Sequence, residues 1–271
     1  MPPPFTTTNP PPDLPSIPSI PSIPSIPSLP HLHLPTTPLV RSALHFAASH
    51  LSHPALNHVT RSWLFAALIA RSAKLPHLHA VDPEVLALST LLHDLGWDPT
   101  GACATPDRRF EVDGADAAVR WLDAHAPPGW DDGGESANGV RAPGGCRGRK
   151  AQQVWDAIAL HTTGSVVFWK EPPVAAAAFG IWADFQGPDR TVPAGILSWE
   201  EYDAVVKEYP RLGLMSEVKE LMCGFCRTKP QTTYDNTVGE WGEMFVEGYT
   251  RKGKTTAEML LQCDLDEREV S

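Results

Sequence analysis

Cysteine is scarce in this sequence, and no long apolar run is present. Five cysteines in 271 residues are few and odd in number, which does not suit the disulfide framework of a secreted protein. The most apolar stretch, residues 63–70, is bounded by Arg61 and Arg71 and is far too short to cross a bilayer. Because the sequence also does not open with a charged and then apolar leader, we expect a cytoplasmic protein with no membrane partner.

Positive charge is also in short supply. The chain has 22 Lys and Arg residues against 32 Asp and Glu residues, a formal net charge of -10. No long basic stripe with interleaved aromatic residues is present, so the sequence does not favour a nucleic-acid partner. We expect a small-molecule substrate as the partner, and the sequence leaves open whether the protein forms a homo-oligomer.

Proline, in contrast, is abundant near the N-terminus. The segment PSIPSIPSIPSIPSLP has proline at every third position, which removes backbone donors too often for a helix or a paired strand. We therefore predict a disordered or polyproline II tail over residues 1–38. A docking peptide for a proline-binding partner is the alternative.

Residues 39–271 are predicted to form one all-α domain. Apolar runs of helical length follow one another, and no alternating hairpin competes with them. Asn57 is expected to cap a helix that runs to about Ala73. Asp82, with proline in the first turn, is expected to cap another that ends at Gly96. Further helices are expected over residues 114–124, 152–161, 174–185, 199–206, 216–226 and 238–249.

One segment interrupts this pattern. Residues 130–151 are rich in glycine and have no apolar face, which predicts a flexible surface insertion. A mobile lid, an inert insertion and an artefact of how the coding sequence was assembled all remain open.

The chemistry is concentrated in a few polar residues within apolar segments. His93 and Asp94 end the run VLALSTLLHDLG, where an ionised carboxylate is costly unless a cation or strong donors compensate it. By itself the pair fits a hydrogen-bonded couple as well as a ligand pair. His58 and Asp184 lie in similarly apolar segments, and imidazoles with carboxylates are a ligand set for zinc, iron or manganese.

The order His58, His93-Asp94, Asp184 resembles the HD-domain metalloprotein superfamily. Four phrases narrow the resemblance to its fungal cyanamide hydratase-like branch, and together they cover most of the chain from residue 39 onward. They are RFEVDGADAA, WDAIALHTTG, FGIWADFQG and KPQTTYDNTVGEWG. The resemblance implies an HD-domain helical bundle with His58, His93, Asp94 and Asp184 as metal ligands.

The chain departs from the wider superfamily at one position. Members with two metal ions carry a histidine four residues before the glycine of a Gly-Ala pair, and Phe110 stands there in this sequence. We therefore predict a mononuclear centre with one divalent ion, zinc first and Fe²⁺ or Mn²⁺ as alternatives. His161 is then expected to contact substrate. A core histidine bonded to a backbone carbonyl is the alternative for this residue.

By resemblance, the predicted enzyme is a metal-dependent hydratase that adds hydroxide held by the metal to a small nitrile-like substrate such as cyanamide, giving urea. His161 would orient the nitrile or relay a proton. Glu111 and Asp113 are further acid-base candidates, although exposed carboxylates at a helix start would favour the helix dipole equally well.

Two other functions remain open. An HD-type phosphohydrolase acting on a nucleotide or phosphoester would need basic residues, and Arg61, Arg108 or Arg109 could supply them. A non-enzymatic adaptor would use the metal as a staple and the proline-rich tail for binding. Cys223 and Cys226 have the spacing of a redox or zinc pair, but helix packing is the favoured interpretation.

Overall fold

Every regular element is helical in the computed structural model, which describes residues 21–131 and 148–263. This confirms the all-α class for the described residues. The elements are α1 Pro38–His50, α2 His53–Ile69, α3 Pro83–Leu91, α4 Phe110–His125, α5 Arg149–Leu160, α6 Gly164–Val167, α7 Pro172–Gln186, α8 Trp199–Glu208, α9 Leu214–Thr228, α10 Thr237–Phe245 and α11 Thr256–Leu261. None of the helices in these two ranges combines the length and apolar character needed to cross a membrane.

Helix α2 begins before the residue predicted to cap it. Ser52 is the N-cap, its hydroxyl accepts a hydrogen bond from the Ala55 amide, and Pro54 lies in the first turn. Asn57 is inside the helix, where its side-chain amide donates to the Pro210 carbonyl. The prediction of Asn57 as the cap was wrong because a serine followed by a nearby proline is a complete start signal of its own.

Helix α3 has the predicted start and an earlier end. The Asp82 carboxylate accepts from the amides of Glu84 and Val85, which confirms it as the cap. The helix ends at Leu91, so the predicted end at Gly96 was wrong. A Cβ on Gly96 would lie 2.0 Å from the Phe110 carbonyl oxygen, which shows that this glycine allows the start of α4 to approach closely.

The remaining predicted helices are all present. The structure extends most of them by a few residues, and α10 stops at Phe245, before the predicted end at Tyr249. Helices α1, α6 and α11 were not predicted individually. Helix α11 contains no buried residue, so it lacks the apolar face that a sequence pattern would show.

The close packing of α2 against α7 forms the centre of the fold. Gly180 of α7 faces α2, where an added Cβ would lie 2.3 Å from the Ser62 carbonyl oxygen and 2.5 Å from Ala66 Cβ. Both helices are buried along most of their length. This contact brings His58 of α2 and Asp184 of α7 together.

The proline-rich segment is only partly covered by the structure. Residues 1–20 of the predicted disordered tail lie outside the described residues. In the described part, Ile26 and Leu29 are 5% and 6% exposed and belong to a buried cluster with residues of α2 and α7. This part of the predicted disordered or polyproline II tail therefore packs two of its side chains into the core, because isoleucine and leucine in the repeat supply apolar side chains that the core can bury.

The predicted insertion over 130–151 lies mostly outside the described residues, which resume at Gly148. At its edges, the Asp131 carboxylate accepts from the backbone amides of Lys150 and Ala151 at 2.8 and 3.1 Å. The start of α5 is thus held by a carboxylate at the other end of the segment.

Candidate metal centre

Five predicted site residues meet in the interior from four helical regions. His58 lies in α2, His93 and Asp94 directly follow α3, His161 is the C-cap of α5, and Asp184 lies in α7. His161 is 4% exposed and the other four side chains are fully buried. The packing of these helices brings together His58 and Asp184, which are more than a hundred residues apart in the sequence.

Four of these side chains point at one another. The Nε2 atoms of His58 and His93 are 3.2 Å apart. Asp94 Oδ2 lies 3.1 Å from His93 Nε2 and 3.5 Å from His58 Nε2, while Asp94 Oδ1 lies 3.8 Å from His161 Nε2. His58, His93 and Asp94 form a group whose ligand atoms all lie within 4.8 Å of one another, and this group could hold a metal ion.

The other ring nitrogen of each histidine is bound to an acceptor. The Nδ1 atoms of His93 and His161 lie 2.8 Å from the Thr90 carbonyl oxygen and 2.6 Å from that of Ile158. His58 Nδ1 lies 2.6 Å from a carboxylate oxygen of Asp184. Because these partners can only accept, each Nδ1 carries the hydrogen and each Nε2 presents a lone pair to the centre.

Asp94 adds two further acceptors to the same space. Neither of its carboxylate oxygens has a hydrogen-bond donor. Burial lowers the pKa of His58 and lowers that of His161 to about 4, so these rings are neutral at pH 7 and supply no charge to offset Asp94. Lone pairs and a carboxylate that face one another without donors are costly in a buried site, and a divalent cation fits this donor set.

Asp184 does not belong to this group of ligand atoms. Its carboxylate receives two hydrogen bonds from Arg61, from Nε at 2.7 Å and from an Nη at 2.7 Å, in addition to the one from His58. Although burial raises its pKa, His58 and Arg61 outweigh burial and hold the pKa below its usual range. In this arrangement Asp184 orients His58, as carboxylates commonly do behind metal-binding histidines, and this differs from the predicted role as a ligand.

The group opens into a cavity of about 320 Å³ with mostly apolar and aromatic walls. The Trp97 ring lies 6.1 Å from that of His58, and the Phe110 ring lies 5.7 Å from that of His161. Thr162, Gln186 and Thr237 supply uncharged polar groups, and the described lining contains no lysine or arginine. Phe110 therefore contributes an aromatic wall to the cavity beside His161.

The structure separates the two remaining acid-base candidates. Glu111 is buried and its Oε1 accepts from the hydroxyl of Thr162 at 2.6 Å, so it is connected to the cavity through that threonine. Asp113 is buried too, but its oxygens are bound by Thr105 and by Lys229 Nζ at 2.8 Å. Both carboxylates are buried, so neither is an exposed carboxylate at a helix start. Asp113 connects α4 to the loop at Thr105 and to Lys229, and it is not among the residues that line the cavity.

The sequence did not indicate the true role of Arg61. It was considered as a phosphate-binding group, but its side chain is fully buried and bound to Asp184 and to backbone carbonyls of Tyr209 and Pro210. The sequence feature that could have indicated this role is the spacing of three residues between His58 and Arg61, which puts the two side chains next to each other on one helix. Cavity walls from α9 and α10, including Met222 and Trp241, were also missed because no motif marks them.

A larger cavity, of about 870 Å³, lies on the other side of Trp182 and Gln186, which line both. Within residues 21–131 and 148–263, its lining residues form no group of metal-ligating side chains. The smaller cavity is therefore the candidate site, because it is lined by the metal-ligating group His58, His93 and Asp94.

Comparison of the chain with protein-family models and with curated proteins found no match.

Proposed function

We propose that this protein is a metal-dependent hydratase of the HD-domain type, related to the cyanamide hydratase-like branch. It would use one divalent ion, with zinc as the first candidate, to hydrate a small nitrile-like substrate. The all-helical architecture, with His58, His93, Asp94 and Asp184 brought together from α2, the end of α3 and α7, supports this assignment.

The observation that carries the proposal is a buried cluster made of acceptors only. The Nε2 lone pairs of His58, His93 and His161 lie close to the two oxygens of Asp94, which receive no hydrogen bond. A divalent ion bound there would neutralise this cluster and supply Lewis acidity, which lowers the pKa of water toward neutrality.

The size and chemistry of the cavity support a small, uncharged substrate. A volume of about 320 Å³ is at the low end of ligand pockets. Its walls are mostly apolar and aromatic, and the amide of Gln186 and the hydroxyl of Thr237 can bond a polar end of the substrate. A phosphoester would need compensating positive charge. Arg61 is occupied by Asp184, Arg108 pairs with Asp116 at the surface, and Arg109 lies 3.6 Å from Glu111 and is not among the lining residues.

His161 is the residue we assign to contact with the reacting groups. Its Nδ1 is tied to the Ile158 carbonyl, so Nε2 faces the cavity as a hydrogen-bond acceptor for the attacking water. The bond to the Ile158 carbonyl is the alternative considered for His161, and contact with the substrate is part of the proposal. Glu111 accepts from Thr162, the next residue, and in the proposal it fixes the position of that segment.

The test is to purify the full chain, measure bound metal, and assay cyanamide, small aliphatic nitriles and a generic phosphodiester. His58→Gln and Asp94→Asn should lose both metal and nitrile turnover. His53→Gln is the matched control, because His53 is exposed in the first turn of the same helix as His58, and it should retain both.

Turnover of the phosphodiester without turnover of any nitrile would replace the proposal with an HD-type phosphohydrolase. Bound metal with no turnover of either class would favour the adaptor function. A wild-type chain that binds no divalent ion would refute the metal centre itself.

A further inference from the structure

A second group of metal-ligating side chains lies outside the cavity. His50 is the last residue of α1, and Asp98 and Cys103 lie in the loop that leads to α4. The three side chains offer ligand atoms that lie within 4.8 Å of one another. They come from two segments about fifty residues apart, so local sequence does not force them together.

Burial and the neighbouring Asp98 raise the pKa of the Cys103 thiol to about 12, so this thiol keeps its hydrogen until a metal replaces it. Asp98 and Cys103 are each 5% exposed, and His50 is partly buried. His50 Nδ1 lies 2.9 Å from the Phe46 carbonyl oxygen and 2.9 Å from the Ser49 hydroxyl oxygen. Because the Ser49 hydroxyl donates its hydrogen to the Phe46 carbonyl, Nδ1 carries a hydrogen of its own and the Nε2 lone pair is left for a ligand role. This is the same tautomer that the histidines of the first centre adopt.

Asp98 is a buried carboxylate without a cationic partner. Its oxygens accept from the amide and hydroxyl of Thr100 and from the amide of Cys103, and no ion pair among the described residues involves it. Oδ2 accepts two of these bonds and Oδ1 accepts one. Because each carboxylate oxygen has two lone pairs, Oδ1 keeps one lone pair for a metal.

We propose that His50, Asp98 and Cys103 form a second metal site, selective for zinc. One sulfur, one imidazole and one carboxylate are a zinc ligand set, and zinc accepts water as its fourth ligand at the partly exposed His50 side. On binding, the Cys103 thiol gives its proton to solvent and the thiolate sulfur bonds to zinc, with no change of oxidation state.

Such a site would connect the end of α1 to the loop beside the first centre. Asp98 directly follows Trp97, whose ring lines the cavity and stacks near His58. A zinc ion there would hold that wall of the cavity in place. The inference is independent of the reaction proposed above, since it depends on different residues and a different readout.

The experiment is metal titration of the reduced, chelator-treated full chain, with Zn²⁺ against a chromophoric competitor and with Co²⁺ followed by absorption. The wild type should bind about two ions per chain, and its Co²⁺ form should show a thiolate-to-metal charge-transfer band in the near ultraviolet. Cys103→Ser should bind one ion fewer and lose the band. His50→Gln, a variant that keeps the thiol, should weaken the second ion if Cys103→Ser does not fold.

Two controls separate this site from the others. His93→Gln should lose the first ion and keep the thiolate band, and Cys223→Ser, which changes another buried cysteine, should leave both the band and the stoichiometry unchanged. A wild-type chain without a thiolate band, or a Cys103→Ser chain that binds as many ions as the wild type, would overturn the proposal.

Discussion

Asp94 and Asp184 are both fully buried, yet their surroundings are opposite. Asp94 has two oxygens without donors, whereas Asp184 receives hydrogen bonds from Arg61 and His58. A carboxylate that lacks donors is available for a cation, and one that is saturated with donors acts through the residue it holds. The sequence presented both simply as aspartates in apolar helices, so it could not distinguish these roles.

This difference predicts different losses on mutation. Asp184→Asn should weaken binding of a divalent ion at this centre by about 10–100-fold, because the ring of His58 would be less firmly oriented. Asp94→Asn removes a ligand atom and should weaken binding considerably more. Competition titration with a chromophoric chelator measures both. If Asp184→Asn lost the ion as completely as Asp94→Asn, Asp184 would be a direct ligand, as the family resemblance implies.

Motifs and burial made the identities of the central residues predictable. His58, His93, Asp94 and His161 all meet at the cavity, because polar residues within apolar helical runs have to be buried together. What could not be predicted was the pairing of Arg61 with Asp184 and the position of Asp113. Those depend on which side chains of distant helices are within hydrogen-bond distance.

At the scale of elements, the α2–α7 contact determines where the site can form. Helical periodicity predicted both helices but gave no indication that they pack almost backbone to backbone. The only hint in the sequence was Gly180 within an alanine-rich run, and small residues alone do not specify a partner. Likewise, α3 ends at Leu91, and the turn around Gly96 that follows packs against the start of α4, which periodicity does not report.

The close contact gives a prediction for Gly180. Gly180→Ala would place a methyl group 2.3 Å from the Ser62 carbonyl oxygen, and forcing the helices apart should reduce the free energy of unfolding by about 1–3 kcal/mol. Gly224→Ala is the matched control, since no atom lies within 4 Å of its added Cβ and alanine favours a helix by up to ~1 kcal/mol. Urea unfolding of both variants checks this, and equal effects would refute the packing argument.

At the scale of the whole molecule, the proline repeat is partly integrated into the fold. Ile26 and Leu29 are buried against the cluster that includes Leu64 and Phe65 of α2. Composition predicted that the repeat lacks helices, which agrees with the described part. It could not predict docking, because an extended segment uses individual side chains and leaves no periodic apolar face.

Docking of the repeat leads to a stability prediction. Ile26→Ala and Leu29→Ala should each reduce the free energy of unfolding by about 2 kcal/mol, because each leaves a cavity in the core. Ser28→Ala, an exposed position between them, should change it by less than ~0.5 kcal/mol. Thermal or urea unfolding of the full chain provides the measurement. If all three variants matched the wild type, the repeat would not be part of the cooperative core.

The backbone partners of His93 and His161 have a consequence for sequence divergence. Both histidines lie just past a helix end and bind carbonyls of the last turn, those of Thr90 and Ile158, which have no helical partner there. Because every residue has a main-chain carbonyl oxygen, the residues at positions 90 and 158 can change while the rings of His93 and His161 keep their orientation. His58 depends on a side chain, Asp184, which in turn depends on Arg61. Distant relatives of this chain should therefore be sought by the combination of His58, Arg61 and Asp184, and the sequence around the other two histidines can be given little weight.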